Sequence, residues 1–150
     1  MKICIGNDHR GYELKTKLVE ALKDKYEITD FGSYDDKSTD YPIYAFKVGE
    51  SVANKENDFG IVICGSGIGI SIACNKVKGV RCAKVDCVND AYYTRNDNDA
   101  NVVAFSGDTE FNEALEIVEK FINTPFSNLE KHNRRIELIK NYELGEYNDR

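Results

Sequence analysis

The chain has 150 residues, a formal charge of −6 at pH 7, 31% charged and 41% hydrophobic side chains. That is enough chain to bury one full core, and its acidic balance excludes general attraction to nucleic acid or an anionic membrane. No apolar run approaches the about 20 residues of a membrane span, and Met1-Lys2 leads straight into a strand-like run rather than a signal peptide.

Five cysteines without C-x-x-C spacing and only two histidines argue against a disulfide framework and a structural zinc site. They point instead to a reducing, cytoplasmic compartment. There is no internal repeat, low-complexity tract or Pro/Gly linker, so residues 1–150 are expected to form a single domain, with a frayed tail from about 145.

Taken in chain order, residues 2–6, 27–31, 58–64, 79–85 and 101–105 are β-rich and predict five strands. Leu14, Leu18, Val19 and Leu22 form one stripe of a helix over 11–25, and Ala45, Val48, Val52 and Ala53 do so over 43–55. Residues 68–75 begin a helix after a glycine-rich turn. Phe111, Leu115, Val118 and Phe121 mark a helix over 109–122, and Leu129, Ile136, Leu138 and Ile139 mark a last one over 127–144. Strand–helix alternation with apolar inner strands predicts an α/β fold of three layers: a five-stranded parallel, Rossmann-like sheet with an additional C-terminal helix.

In such sheets ligands collect beyond the carboxyl ends of the strands. The loops there hold Asn7-Asp8-His9, Cys64 with Gly65, Ser66, Gly67, Ile68 and Gly69, and Asp86. The three glycines let successive N–H groups aim at one point, which suits a phosphate or an oxyanion formed during reaction. Cys64 precedes that loop, where N–H groups favour a thiolate able to remove a proton next to a carbonyl. A nucleophilic role would need a neighbouring base.

Blander readings stand beside these. Glycine loops often serve only close helix packing, and Asp86 lies where the ribose-binding acid of a dinucleotide site would, although Ile70 breaks the G-x-G-x-x-G spacing. Asp8 before His9 reads equally as a helix cap. Tyr41 is core or rim. Lys131 to Arg135 read first as the solvated face of a helix and second as the densest basic patch for a phosphate.

The runs IGNDHRGYELK, STDYP, GIVICGSGIGISIACNKVKGVRCA, NDNDANVVAF and KHNRR, in that order, resemble the type B ribose-5-phosphate isomerases and the galactose-6-phosphate isomerase subunits over nearly the whole chain. The resemblance implies strand order 2-1-3-5-4, no metal or cofactor, and a homodimer or dimer of dimers with sites shared between subunits. It implies Cys64 as the proton-abstracting base, Ser66 as its assistant and the Gly65–Gly69 amides, including Ile68, as the enediolate cradle. Asp8 and His9 would contact sugar and phosphate, with Tyr41 lining the pocket. Asn98, Lys131 and Arg135 would reach the partner's ligand.

Three positions depart from the pattern. Asp97 stands where a ring-opening histidine is usual, and carboxyl groups ordinarily titrate too low for acid–base work at neutral pH. Asp108 stands in place of a phosphate-binding arginine, and Lys131 in place of another, which keeps charge but gives up bidentate geometry. The expected activity is interconversion of ribose 5-phosphate and ribulose 5-phosphate. The alternatives are a six-carbon sugar phosphate such as allose or galactose 6-phosphate, or a non-catalytic sugar-phosphate-binding subunit.

Overall fold

The computed structural model describes residues 1–149. Five parallel strands, β1 (Lys2–Asn7), β2 (Glu27–Asp30), β3 (Phe59–Cys64), β4 (Cys82–Lys84) and β5 (Val102–Ser106), form one sheet in the order β2-β1-β3-β5-β4. Among the described residues the sheet is accompanied by a 3-10 turn (His9–Gly11) and six α-helices: α1 (Tyr12–Leu22), α2 (Tyr41–Ala53), α3 (Ile68–Cys74), α4 (Val88–Asn98), α5 (Phe111–Asn123) and α6 (Glu130–Glu143). The three-layer α/β expectation and the implied strand order are both met.

The apolar inner strands are explained by cover on both faces. On one face Ile3, Ile5, Ile61, Ile63, Val103 and Phe105 pack against Leu14, Leu18 and Leu22 of α1 and Ile117 and Phe121 of α5. On the other, Cys4, Val62, Cys64, Val102 and Ala104 pack against Ala45, Val48 and Val52 of α2 and Ile70, Ala73 and Cys74 of α3. Alternation along β3 therefore sends Ile61 and Ile63 one way and Val62 and Cys64 the other.

The structure corrects the reading at three places. The stretch 86–100, read without a helix, contains α4. Its buried face is Ala91, Thr94 and Arg95, while Tyr92 and Tyr93 are exposed, so it carries no apolar stripe for periodicity to find. Its anchor is polar: the buried Arg95 guanidinium donates to the carbonyls of Thr124 and Ala100 and to the Asp99 carboxylate, and lies 4.8 Å from the Phe59 ring centroid. The fourth strand is three residues, not seven. Residues before it form a turn at Gly79, where Arg81 N–H donates to the Asn101 side chain at 2.8 Å instead of to a ladder. The second helix begins at Tyr41, two residues early, because Pro42 fits the first helical turn, which needs no N–H donor.

The last helix crosses the N-terminal edge of the sheet. Near its start His132 meets Asp97 at the end of α4, and near its end Glu143 accepts from Gly79 N–H just before β4. Only Ile136 of α6 is buried; Leu138, Ile139 and Tyr142 remain exposed. Of the expected tail, residues 145–149 lie outside any helix and Arg150 lies outside the described residues.

Replacing Arg95 with alanine leaves two buried carbonyls without their donor. Each such loss costs about 1–3 kcal/mol, so urea unfolding of Arg95→Ala is expected to show a stability loss of about 3 kcal/mol.

Candidate active site

The carboxyl ends of β1, β3 and β5 lie side by side, with Asn7 opposite Ile63 and Cys64 opposite Ser106. Backbone bonds weld the loops beyond them into one block. Asp8 N–H donates to the Ile63 carbonyl at 3.2 Å, Gly107 N–H to the Cys64 carbonyl at 2.8 Å, and the Ser106 hydroxyl to the Gly65 carbonyl at 2.6 Å.

Cys64 ends β3 as expected, and Gly67 N–H donates to its sulfur at 3.2 Å. The thiol is not open to solvent. It is 4% exposed and belongs to the cluster with Ile70 and Ala104, because its place in the β3 alternation turns it toward the α2–α3 layer. It still differs from a plain core cysteine. Burial pushes the Cys4 thiol up to about 12, against the lowering effect of a contact with Ser51, and its sulfur makes long contacts to the Val48 and Phe59 carbonyls. Cys64 has a backbone donor aimed at its sulfur.

The loop that supplies this donor depends on Gly67. Its φ of +78° is left-handed, and a Cβ there would sit 2.7 Å from the Phe105 backbone. Ser66 is exposed and its hydroxyl accepts from Ile68 N–H at 3.1 Å, where α3 begins. Tyr41 proves to be rim: its ring lies so close over Gly69 that a Cβ on that residue would come within 2.7 Å of it. The same segment positions His9, since Thr39 N–H donates to His9 Nδ1 at 3.2 Å. A neutral imidazole held this way carries its proton on Nε2 and presents it as a donor. Asp8 caps the 3-10 turn His9–Gly11, accepting from Arg10 N–H at 2.9 Å; the cap reading describes this contact. A groove of about 870 Å³ runs past His9, Arg10, Gly107 and Asp108.

Asp97, Asn98, Lys131 and Arg135 are not brought to this block. Asn98 precedes β5, whereas Ser106, beside Cys64, ends it. The strand between spans about 13 Å at 3.3 Å per residue. Lys131 and Arg135 sit on α6 along the same far edge. There Asp97 accepts from the Asn96 side chain at 2.8 Å and lies 3.4 Å from His132 Nε2. Asp86 pairs with Lys84. Among the described residues no three His, Cys, Asp or Glu side chains converge as metal ligands.

Comparison with known proteins decides the family. A family profile described as Ribose/Galactose Isomerase matches residues 3–139. The chain belongs to the ribose/galactose isomerase family. Within it, the chain is 38% identical over 146 residues to ribose-5-phosphate isomerase B of Mycobacterium tuberculosis, covering 95% of this chain and 90% of that one. The structure matches ribose-5-phosphate isomerase B of Clostridium thermocellum with a TM-score of 0.93 at 42% identity, covering 97% and 99% of the two chains. It matches the Mycoplasma genitalium enzyme, solved with bound ribulose-5-phosphate, with a TM-score of 0.90 at 39% identity, covering 95% and 96%.

Residue-level reading assigned no role to three residues whose contacts the structure reveals, two beside this block and His132 at the far edge. Thr39 orients His9, although only its place in the STDYP run hinted at use. Asn7 donates to the Asp8 carbonyl and Ser33 hydroxyl, but its buried Oδ1 has no partner among the described residues. His132 was read only as part of a basic run, and its contact with Asp97 joins segments 35 residues apart.

Gly67→Ala must place a side chain at positive φ and against the Phe105 backbone. Left-handed strain and overpacking together cost at least about 2 kcal/mol. The expected result is a lowered unfolding midpoint together with loss of isomerase activity beyond what the fraction unfolded explains.

Proposed function

We propose that this isomerase interconverts ribose 5-phosphate and ribulose 5-phosphate in the cytoplasm, through a cis-enediolate, with Cys64 as the base. The observation that carries the reading is the Gly67 N–H on the Cys64 sulfur, at 3.2 Å, inside a turn of glycines at the carboxyl edge of the sheet. Cys64 would take the proton from C2 and return it to C1, with the Ser66 hydroxyl assisting. The free amides of the Gly65–Gly69 turn would stabilise the enediolate oxygens, a contribution usually worth about 100-fold or more per donor. His9 Nε2, with its proton fixed by Thr39, would donate to the ligand, and Asp8 and Tyr41 would shape its pocket.

We place the other half of each site on a second copy of the chain. Asn98, Lys131 and Arg135 lie at the edge opposite Cys64, so one chain carries two unlike half-sites at its two ends. A two-fold pairing that sets one end against the other completes both at once. The exposed Leu138, Ile139 and Tyr142 of α6, with Ile68 and Ile72 of α3, offer the apolar surface for such a homodimer. Asp97 would then face the partner's substrate with His132 beside it and take part in ring opening.

A six-carbon sugar phosphate is the second reading, and Asp97 favours it, because the residue at this position meets the sugar ring in the proposed dimer. A panel of five- and six-carbon aldose phosphates separates the two.

Cys64→Ala is expected to lower the isomerisation rate by about 100-fold or more, as loss of a proton-transfer group does, while ribose 5-phosphate still binds by calorimetry. A substantial residual rate would remove Cys64 from the role. Asp97→His is expected to raise the rate on ribose 5-phosphate, read in the same assay. If sites are shared, mixing inactive Cys64→Ala and Arg135→Ala chains under exchange conditions restores activity that neither shows alone. No recovery after demonstrated exchange would show that each chain works by itself.

A further inference from the structure

The Arg10 side chain does not point away from the site block as an ordinary surface arginine would. It lies across Gly65, with its Cζ, Cγ and Nη1 all within 3.5–3.6 Å of where a Cβ on that glycine would sit. The backbone beneath it is held on both sides. Its N–H is bound by the Asp8 cap, and the chain at Gly107 passes so close that a Cβ there would meet the Arg10 carbonyl. From this held backbone the side chain extends beside His9 and over the first residue of the glycine turn. Its partner there is Asp108, with Nη2 to Oδ2 at 3.5 Å, and both side chains are exposed, 57% and 76%.

We propose that Arg10 is a phosphate-binding residue of this isomerase, and that Asp108 holds its guanidinium in readiness and sets how strongly a phosphate must compete for it. This rests on the reading of a sugar phosphate as substrate and adds the residue that grips its phosphate end. Magnitudes favour the exchange. An exposed ion pair at 3.5 Å is worth about 0–1 kcal/mol, whereas an arginine fork on a phosphate makes two parallel charge-assisted bonds to a dianion. A phosphate arriving next to His9 therefore displaces a carboxylate that holds the guanidinium weakly. The Asp108 charge stays nearby and opposes the anion, so it lowers affinity and speeds release. In a chain of net charge −6, this local cation gives the anionic end of a substrate a place at the carboxyl edge of the sheet.

The test uses Arg10→Ala, Arg10→Lys, Asp108→Ala and the double variant. Two readouts apply: KM for ribose 5-phosphate, and the dissociation constant of inorganic phosphate by calorimetry. Arg10→Ala is expected to weaken phosphate binding and raise KM, each about tenfold or more, with Arg10→Lys recovering part of the loss. Asp108→Ala is expected to tighten phosphate binding several-fold, and by less when Arg10 is already removed, since the two act as a coupled pair. An unchanged thermal midpoint in Arg10→Ala would tie these shifts to the ligand and not to folding. Phosphate binding and KM both unaltered in folded Arg10→Ala would overturn the proposal. If the wild type turns over no sugar phosphate, yet phosphate binding still falls in Arg10→Ala, the anion site stands and the assigned reaction fails.

Discussion

A single backbone N–H aimed at a single sulfur organises this end of the molecule. Gly67 can donate to Cys64 only because it occupies a left-handed conformation seated on the Phe105 backbone, and that seat exists because β3 and β5 are neighbours. The same turn starts α3 and presents Gly69 to the Tyr41 ring. Much of the surrounding structure keeps this turn in place: β1 on one side, β5 on the other, and bonds from Ser106 and Gly107 to its first residues.

The design separates two tasks. The interior layers are apolar and close-packed, and they make the end of β3 rigid. The candidate active-site residues sit at strand ends and on short loops that cost little to shape because the strand ends already place them. His9 shows the benefit. Its ring is oriented by a backbone N–H from Thr39, contributed by the segment that also carries Tyr41, so one loop sets both a donor and a wall. Cys64 shows the compromise. A sulfur on the core-facing side of a strand is well positioned and shielded from solvent, and for the same reason reaches the outside only through the turn above it.

The far edge of the sheet has a different character. Arg95 fastens α4 through carbonyls and aromatic faces, and α6 crosses beneath the strands with one buried residue. Asp97, Asn98, Lys131 and Arg135 gather there, about a strand length from Cys64. In the proposed dimer the two ends would meet and serve one substrate.

Local pattern was enough for much of this. Apolar alternation and helical stripes identified all five strands and α1, α2 and α5, because burial on a sheet face imposes those periods directly; α6 showed a similar stripe although only its Ile136 is buried, and the glycine turn marked the start of α3. The ordered motifs identified the family and the cysteine loop. Local pattern failed where burial is polar or contacts are distant. The helix α4 is anchored by an arginine instead of an apolar stripe, β4 is shortened by an Arg81–Asn101 clamp, and the depth of Cys64 follows from which layer its side chain enters. Pairings such as Arg10 with Asp108, Thr39 with His9 and His132 with Asp97 join segments from 30 to 98 residues apart. Periodicity reports only on neighbours along the chain; which distant side chains meet is decided when the sheet and its helices close around a common core.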